Sequence, residues 1–251
     1  MHKSNMKPIL IIPSRLASTR LPEKPLHMIA GKPLIQHVYE RAKASYDGRI
    51  VVACCDNRVK KIIESLNGEA ILTDPNAPSG TDRIFEAYTK VGNNEDIIIN
   101  LQGDMAIFPK DLLQKTLDVF KHVPSDVVTA MSALNDDVDN PSYVKVAFEK
   151  SAESTGNAIF GRAHYFSRAL IPHGAKQFYK HIGLYIYTKE ALAEFVKAPV
   201  AQLESTEQLE QLRGLALGHR YGITLVDGDY FSVDTIEDVN LVEGYLKKQR
   251  Y

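Results

Sequence analysis

Apolar residues recur along the first half of the chain in two alternating rhythms. Residues 9–12, Ile-Leu-Ile-Ile, form an unbroken apolar run, the mark of a strand covered on both faces in a parallel sheet. Pro33 opens a segment with Leu34, Ile35, Val38 and Ala42 on one face, which is helical spacing with proline in the first turn. Ile50–Cys54 predicts a second strand, and Val59, Ile62, Ile63 and Leu66 predict a helix that Asn67-Gly68 ends. Residues 70–72 predict a short strand, and Thr81 or Asp82 can cap a helix carrying Ile84, Phe85, Tyr88 and Val91. Ile97–Leu101 is again fully apolar apart from Asn100. Such strand–helix repetition predicts an α/β fold with a doubly wound, mostly parallel central sheet.

From about residue 126 strands dominate: Val127–Leu134, 144–148 and 181–187, with helices predicted at 207–217 and 236–246. The chain shows no repeat, low-complexity tract or Gly/Ser/Pro-rich linker, so one domain over residues 1–251 with an elaborated second half is expected. Sheets of this type bind ligands beyond the carboxyl ends of their strands, which directs attention to the loops at 13–25, 73–83 and 102–106.

Composition narrows the class. The 251 residues carry 30 Lys plus Arg and 31 Asp plus Glu, a formal charge of -1. That balance excludes a nucleic-acid coat and a polybasic membrane binder, which depend on clustered positive charge. The average conceals a local contrast: residues 1–32 hold six Lys or Arg and one acid, whereas residues 227–243 hold six acids and no Lys or Arg. Cys54 and Cys55 are the only cysteines and are expected as buried strand thiols, not a disulfide framework or a zinc site. The histidines, His2, His27, His37, His122, His164, His173 and His219 among them, show no i, i+4 pairing for zinc. Residues 1–7 are polar, the following apolar run is too short for a signal core, and no stretch reaches the ~20 apolar residues of a membrane span. A cytoplasmic protein is expected.

The three loops are chemically unusual. Residues 13–26 place Arg15, Arg20 and Lys24 among the hydroxyls of Ser14, Ser18 and Thr19, directly after a buried strand. Fixed cations with hydroxyl and backbone donors suit a triphosphate, although a solvated basic loop has the same spacing. In Ser79-Gly80-Thr81-Asp82-Arg83, Gly80 allows close backbone approach at a helix N-terminus; a plain cap reads the same way. Asp104, in Leu101-Gln102-Gly103-Asp104, stands at a strand end where a Mg²⁺ ligand is natural. Asp234, in Val233-Asp234-Thr235, is a second candidate acid or else a helix cap.

Taken together and in order, Pro-Ser-Arg-x-x-Ser-Thr-Arg-Leu-Pro-x-Lys-Pro-Leu, Ser-Gly-Thr-Asp-Arg, Leu-Gln-Gly-Asp and Val-Asp-Thr-x-Glu-Asp resemble the CMP-Kdo synthetases (3-deoxy-manno-octulosonate cytidylyltransferases). Tyr165-Phe166-Ser167-Arg168 with Ile171-Pro172, residues 180–185 and residues 209–213 extend the resemblance over nearly the whole chain. Sialic-acid cytidylyltransferases have a glycine-richer first loop.

The resemblance implies a nucleotidyltransferase-type fold and transfer of CMP from CTP to the anomeric hydroxyl of an eight-carbon acidic sugar, releasing pyrophosphate for lipopolysaccharide biosynthesis. It implies a cytoplasmic, Mg²⁺-dependent homodimer. By motif position, Arg15 and Lys24 would hold the triphosphate, with Ser14 and Ser18 near it and Ser79, Gly80 and Asp82 along the nucleotide. Asp104 and Asp234 would hold the metal, making Arg15, Lys24, Asp104 and Asp234 the catalytic set. Gln102, Arg168, His181, Tyr185, Glu210 and Gln211 would form the sugar pocket, with His181 either a base or a hydrogen-bonding group. Two departures stand out. Met105-Ala106 replaces the family's usual Glu-Pro, which is expected to remove a carboxylate beside the metal, and Glu23 replaces a glycine. They leave open a modified Kdo or another sugar as substrate, or a weakened sugar-nucleotide binding protein.

Overall fold

The structure, a computed structural model, describes residues 6–248 apart from Ala17, Thr19 and Asn157. Thr19 and His2, both considered above, lie outside the described residues. The described contacts gather into two compact units that interleave along the sequence.

The first unit comprises Pro8–Glu95, Ile99–Asp111 and Gly228–Tyr251. It begins with β1 (Pro8–Ser14), a 3-10 turn (Lys24–Leu26), the short pair β2 (Met28–Ile29) and β3 (Lys32–Pro33), and α1 (Leu34–Ser45). β4 (Ile50–Cys54), α2 (Asn57–Ser65), β5 (Glu69–Leu72) and α3 (Gly80–Val91) follow, then β6 (Ile97–Leu101) and β7 (Met105–Ile107). The sheet order here is β5-β4-β1-β6, with β1–β4 and β4–β5 parallel. Ile9–Ile12, Val51–Cys54 and Ile98–Leu101 are fully buried, as unbroken apolar runs in a parallel sheet require. Two predicted boundaries shift. Pro33 stands just before α1, and α3 is capped by Ser79, whose hydroxyl accepts from the N–H groups of Thr81 and Asp82. Because the helix starts at Gly80, the hydroxyl one residue earlier has the geometry to cap it. Cys54 is buried, but Cys55 is only partly so, since the strand ends at Cys54.

The second unit is built mainly from Leu112–Asp227. It runs through α4 (Leu112–His122), β8 (Val127–Leu134), β9 (Lys145–Lys150), β10 (Phe160–Ser167) and β11 (Phe178–Thr188). α5 (Lys189–Lys197), α6 (Gln202–Glu207), α7 (Gln211–Ala216) and β12 (Tyr221–Leu225) complete it. Its order is β11-β8-β12-β10-β9, in which β8–β12 is parallel and β11–β8, β12–β10 and β10–β9 are antiparallel. This is the elaborated second half. The helix predicted at 207–217 is broken: Gln208 takes a left-handed conformation (φ 54°) between α6 and α7. Arg168 makes the break affordable, donating to the carbonyls of Glu207 and Gln208 that the interruption frees. The chain then returns to the first unit with β13 (Phe231–Ser232), paired with β7, and α8 (Ile236–Lys248). Among the described residues, no helix is long and apolar enough to cross a membrane.

Candidate active site

In the first unit the ends of β1 and β6 meet with almost no clearance. A Cβ on Gly103 would run into the Pro13 carbonyl oxygen, so only glycine fits there. A cavity of about 170 Å³ opens beside this contact, lined by Ser14, Arg15, Lys24, Gly80, Gln102, Asp104 and Asp234.

At its centre Lys24 Nζ donates to Asp104 Oδ2 at 2.7 Å and to Asp234 Oδ1 at 2.9 Å. Burial alone would lower the Lys24 pKa, but the two carboxylates outweigh it and the value is raised, so the ammonium stays charged. Arg20 reaches the other oxygen of Asp234 at 3.3 Å from a more exposed position. Backbone structure brings the two acids together. β7 pairs antiparallel with β13, and the Val233 N–H donates to the Asp104 carbonyl at 3.0 Å. Asp234 is not the cap of α8; Thr235 takes that role, its hydroxyl accepting the Asp238 N–H at 3.4 Å, while the Asp238 carboxylate reaches back to the N–H groups of Asp234 (2.9 Å) and Thr235 (2.8 Å). The Asp234 carboxylate is thereby left for Lys24 and Arg20.

The departures from the family pattern acquire a physical reading. Met105 and Ala106 are buried in β7 and neither lines the cavity, so a glutamate at 105 would sit in an apolar strand. The Ala106 N–H, which a proline lacks, donates to the Asp104 carbonyl at 2.9 Å. Glu23 adopts a left-handed conformation (φ 51°), where glycine is easier, and its carboxylate pairs with Arg58 at 2.7 Å.

Other expected nucleotide contacts have local partners. The Ser18 hydroxyl accepts from the Leu21 N–H, and Ser79 donates to Asp82 Oδ2 at 2.7 Å while capping α3; none of Ser18, Ser79 or Asp82 lines the cavity. Ser14 Oγ does line it, buried and without a hydrogen-bond partner among the described residues. Arg83, to which the sequence reading gave no role, is 1% exposed, lines the cavity and donates to Thr73 Oγ1. Its place in the Ser-Gly-Thr-Asp-Arg block is the signal that could have found it.

Gln102 belongs to this cavity, held by Asn100 Oδ1 at 2.9 Å. The remaining sugar candidates lie in the second unit. His181 and Tyr185 project from β11 with ring centroids 5.3 Å apart, and the Tyr185 hydroxyl donates to Gln211 Oε1 at 3.1 Å. His181 Nε2 meets Thr129 Oγ1 at 2.8 Å. That hydroxyl also lies 2.7 Å from the Leu184 carbonyl, which can only accept, so it donates there and His181 carries its proton on Nε2. Burial pushes the His181 pKa down to about 3, leaving a neutral imidazole and a poor base. Arg168 is engaged with the backbone of Pro141, Glu207 and Gln208, and its own N–H donates to the Glu207 carboxylate. Glu210 stands at the start of α7.

Known proteins give this arrangement its context. A 3-deoxy-manno-octulosonate cytidylyltransferase of Thermodesulfovibrio yellowstonii is 40% identical, covering 96% of this chain and 98% of its own. An 8-amino-3,8-dideoxy-manno-octulosonate cytidylyltransferase of Shewanella woodyi is 39% identical, covering 96% and 99%. A solved CMP:2-keto-3-deoxy-manno-octonic acid synthetase complexed with CTP superposes with a TM-score of 0.87 at 34% identity, over 97% of this chain and 99% of that one. A UDP-glucose pyrophosphorylase, at 14% identity and TM-score 0.71, shares the α/β nucleotidyltransferase fold. Residues 9–221 match the family described as Cytidylyltransferase. With the basic loop, the paired carboxylates and the cavity in one unit, the match is one of chemistry as well as fold, and the chain belongs to the cytidylyltransferase family.

Proposed function

We propose that the protein transfers CMP from CTP to the anomeric hydroxyl of 3-deoxy-manno-octulosonate, releasing pyrophosphate, as a Mg²⁺-dependent enzyme. One observation carries this reading: two carboxylates remote in sequence converge on a single cation in a cavity that Arg15 also lines. The donor set fits Mg²⁺, which takes one or two carboxylates and completes its shell with water and substrate phosphates. Asp104 and Asp234 would hold it, and when bound it would neutralise triphosphate charge and polarise the reacting phosphoryl group.

The chain's own residues supply the remainder. Arg15 and Lys24 bind triphosphate oxygens and stabilise the charge that grows on the departing pyrophosphate. Gly80 and Gly103 border the cavity without side chains of their own, and Ser14 supplies a hydroxyl that has no partner among the described residues. Gln102, which lines the cavity, orients the sugar hydroxyl for in-line attack on the α-phosphorus, and positioning provides much of the rate. The resemblance supports sugar contacts for His181, Tyr185, Gln211 and Glu210. His181 acts as a neutral donor and acceptor; Arg168 supports the segment at 207–208. The resemblance further supports a cytoplasmic homodimer supplying lipopolysaccharide biosynthesis. The position of Met105 outside the cavity lining speaks against a weakened binding protein.

The test is pyrophosphate release with CTP, Mg²⁺ and 3-deoxy-manno-octulosonate, run beside 8-amino-3,8-dideoxy-manno-octulosonate. Release with the first sugar at the higher kcat/KM is expected; release with neither overturns the proposal.

A further inference from the structure

Lys24 occupies the carboxylate oxygens that a divalent cation would need. Its side chain is 17% exposed and its ammonium stands between Asp104 and Asp234, close to where a shared divalent cation would be held. Its backbone is fixed at the head of a 3-10 turn that buries Pro25, whereas its four-carbon stem can swing. Arg20, the other cation on Asp234, is 65% exposed at 3.3 Å and is peripheral to the pair. With Lys24 in place the two acids carry one compensating charge; without it they form a local pair of repelling anions.

We propose that Lys24 is a resident counter-cation, which holds Asp104 and Asp234 together and competes with a divalent cation for them until a triphosphate draws the ammonium away. This rests on the reading of the two carboxylates as the Mg²⁺ ligands. The exchange leaves every charged group with a partner: the carboxylates trade the single charge of the ammonium for the double charge of the metal, and the ammonium trades carboxylates for phosphate oxygens. Metal and nucleotide therefore favour each other's binding, and the coupling is reciprocal. It also discourages capture of a free divalent ion before CTP arrives.

The experiment is a nucleotide-free Mn²⁺ titration of the full chain, followed by electron paramagnetic resonance of the free ion. Two charge-assisted hydrogen bonds compete in the wild type, so Lys24→Met and Lys24→Gln are each expected to tighten Mn²⁺ binding by about tenfold or more. Adding Asp104→Asn to Lys24→Met should return binding to the wild-type level. Arg20→Met, which removes the same charge from the periphery, should change it by less than about threefold. The proposal is overturned if both Lys24 variants, folded by circular dichroism, bind Mn²⁺ no better than wild type, or if Arg20→Met matches them. In that case, loss of Mg²⁺-dependent turnover in Asp104→Asn and Asp234→Asn would leave the metal reading standing. Unchanged Mg²⁺ dependence in those variants would remove the metal reading and this inference with it.

Discussion

Asp238 accepts the backbone N–H of Asp234 at 2.9 Å, so neighbouring acids divide two tasks at the start of α8. Asp238 completes the capping pair with Thr235, and Asp234 faces the cavity cations. Their substitutions should separate. Asp238→Ala is expected to cost about 1 kcal/mol of stability, the usual worth of a cap. Asp234→Asn should lower kcat by about 10²–10³, the range found when a transition-state electrostatic partner is removed, with little change in melting temperature. Thermal melts beside pyrophosphate-release kinetics check both.

Restoring the family's residues should have opposite effects at the two departures. Met105→Glu places a carboxylate at a site with 0% exposure and is expected to cost about 3–5 kcal/mol, as an uncompensated buried charge does. Glu23→Gly relaxes a left-handed backbone position and should be neutral or stabilising by up to about 1 kcal/mol. Urea midpoints of the two variants give the comparison.

His181 predicts the direction of acid sensitivity. Its folded pKa, about 3, lies below the ordinary value of 6.5, so the unfolded chain binds a proton over that interval and the folded chain does not. The contribution is fully present above pH 6.5 and is lost as pH falls toward 3, by up to about 1.4 kcal/mol per pH unit. His181→Gln, which can still donate to Thr129, should flatten the fall in unfolding free energy between pH 6 and 4. A slope equal to that of wild type would show that His181 does not contribute.

Arg213 and Glu204 form a two-pronged pair at 2.9 and 2.6 Å, each side chain only 10% exposed, with the guanidinium over Phe195. Glu204 also accepts from the Ala201 N–H at the start of α6. Arg213→Met should cost about 3–5 kcal/mol by stranding the carboxylate. Arg213→Met with Glu204→Gln should recover at least half, because Gln keeps the Ala201 contact without the charge. Denaturant melts of the single and double variants measure this.

The first unit was the more legible half of the chain. Its strands are apolar on both faces and its helices carry one-sided stripes, so local pattern and tertiary environment agree at Ile9, Val51 and Ile98. In the second unit β10 alternates weakly, with Gly161, Arg162 and His164 interrupting it, and β12 opens on Tyr221-Gly222; neither strand was anticipated. α5, by contrast, has a clear stripe in Ala191, Leu192 and Phe195 that the sequence reading passed over. The break at Gln208 was hidden because its compensation comes from Arg168, forty residues away in the chain and just past the end of β10. At the site, cations and acids were visible as residue types, but their convergence was not, since it depends on β7 finding β13. The choice between cap and cavity ligand at Asp234 likewise turned on Thr235 and Asp238, which cap the helix between them and leave Asp234 outside it.

The pairing of β7 with β13 also bears on how this site can change over time. Asp104 and Asp234 are kept in register by main-chain hydrogen bonds, which any side chain compatible with a strand preserves. Residues of similar size and polarity around the two acids can therefore replace one another while the acids keep their separation. Mutational tolerance at positions 105–107 and 231–233 should follow strand propensity, volume and burial, leaving the reacting groups insulated from the history of their neighbours.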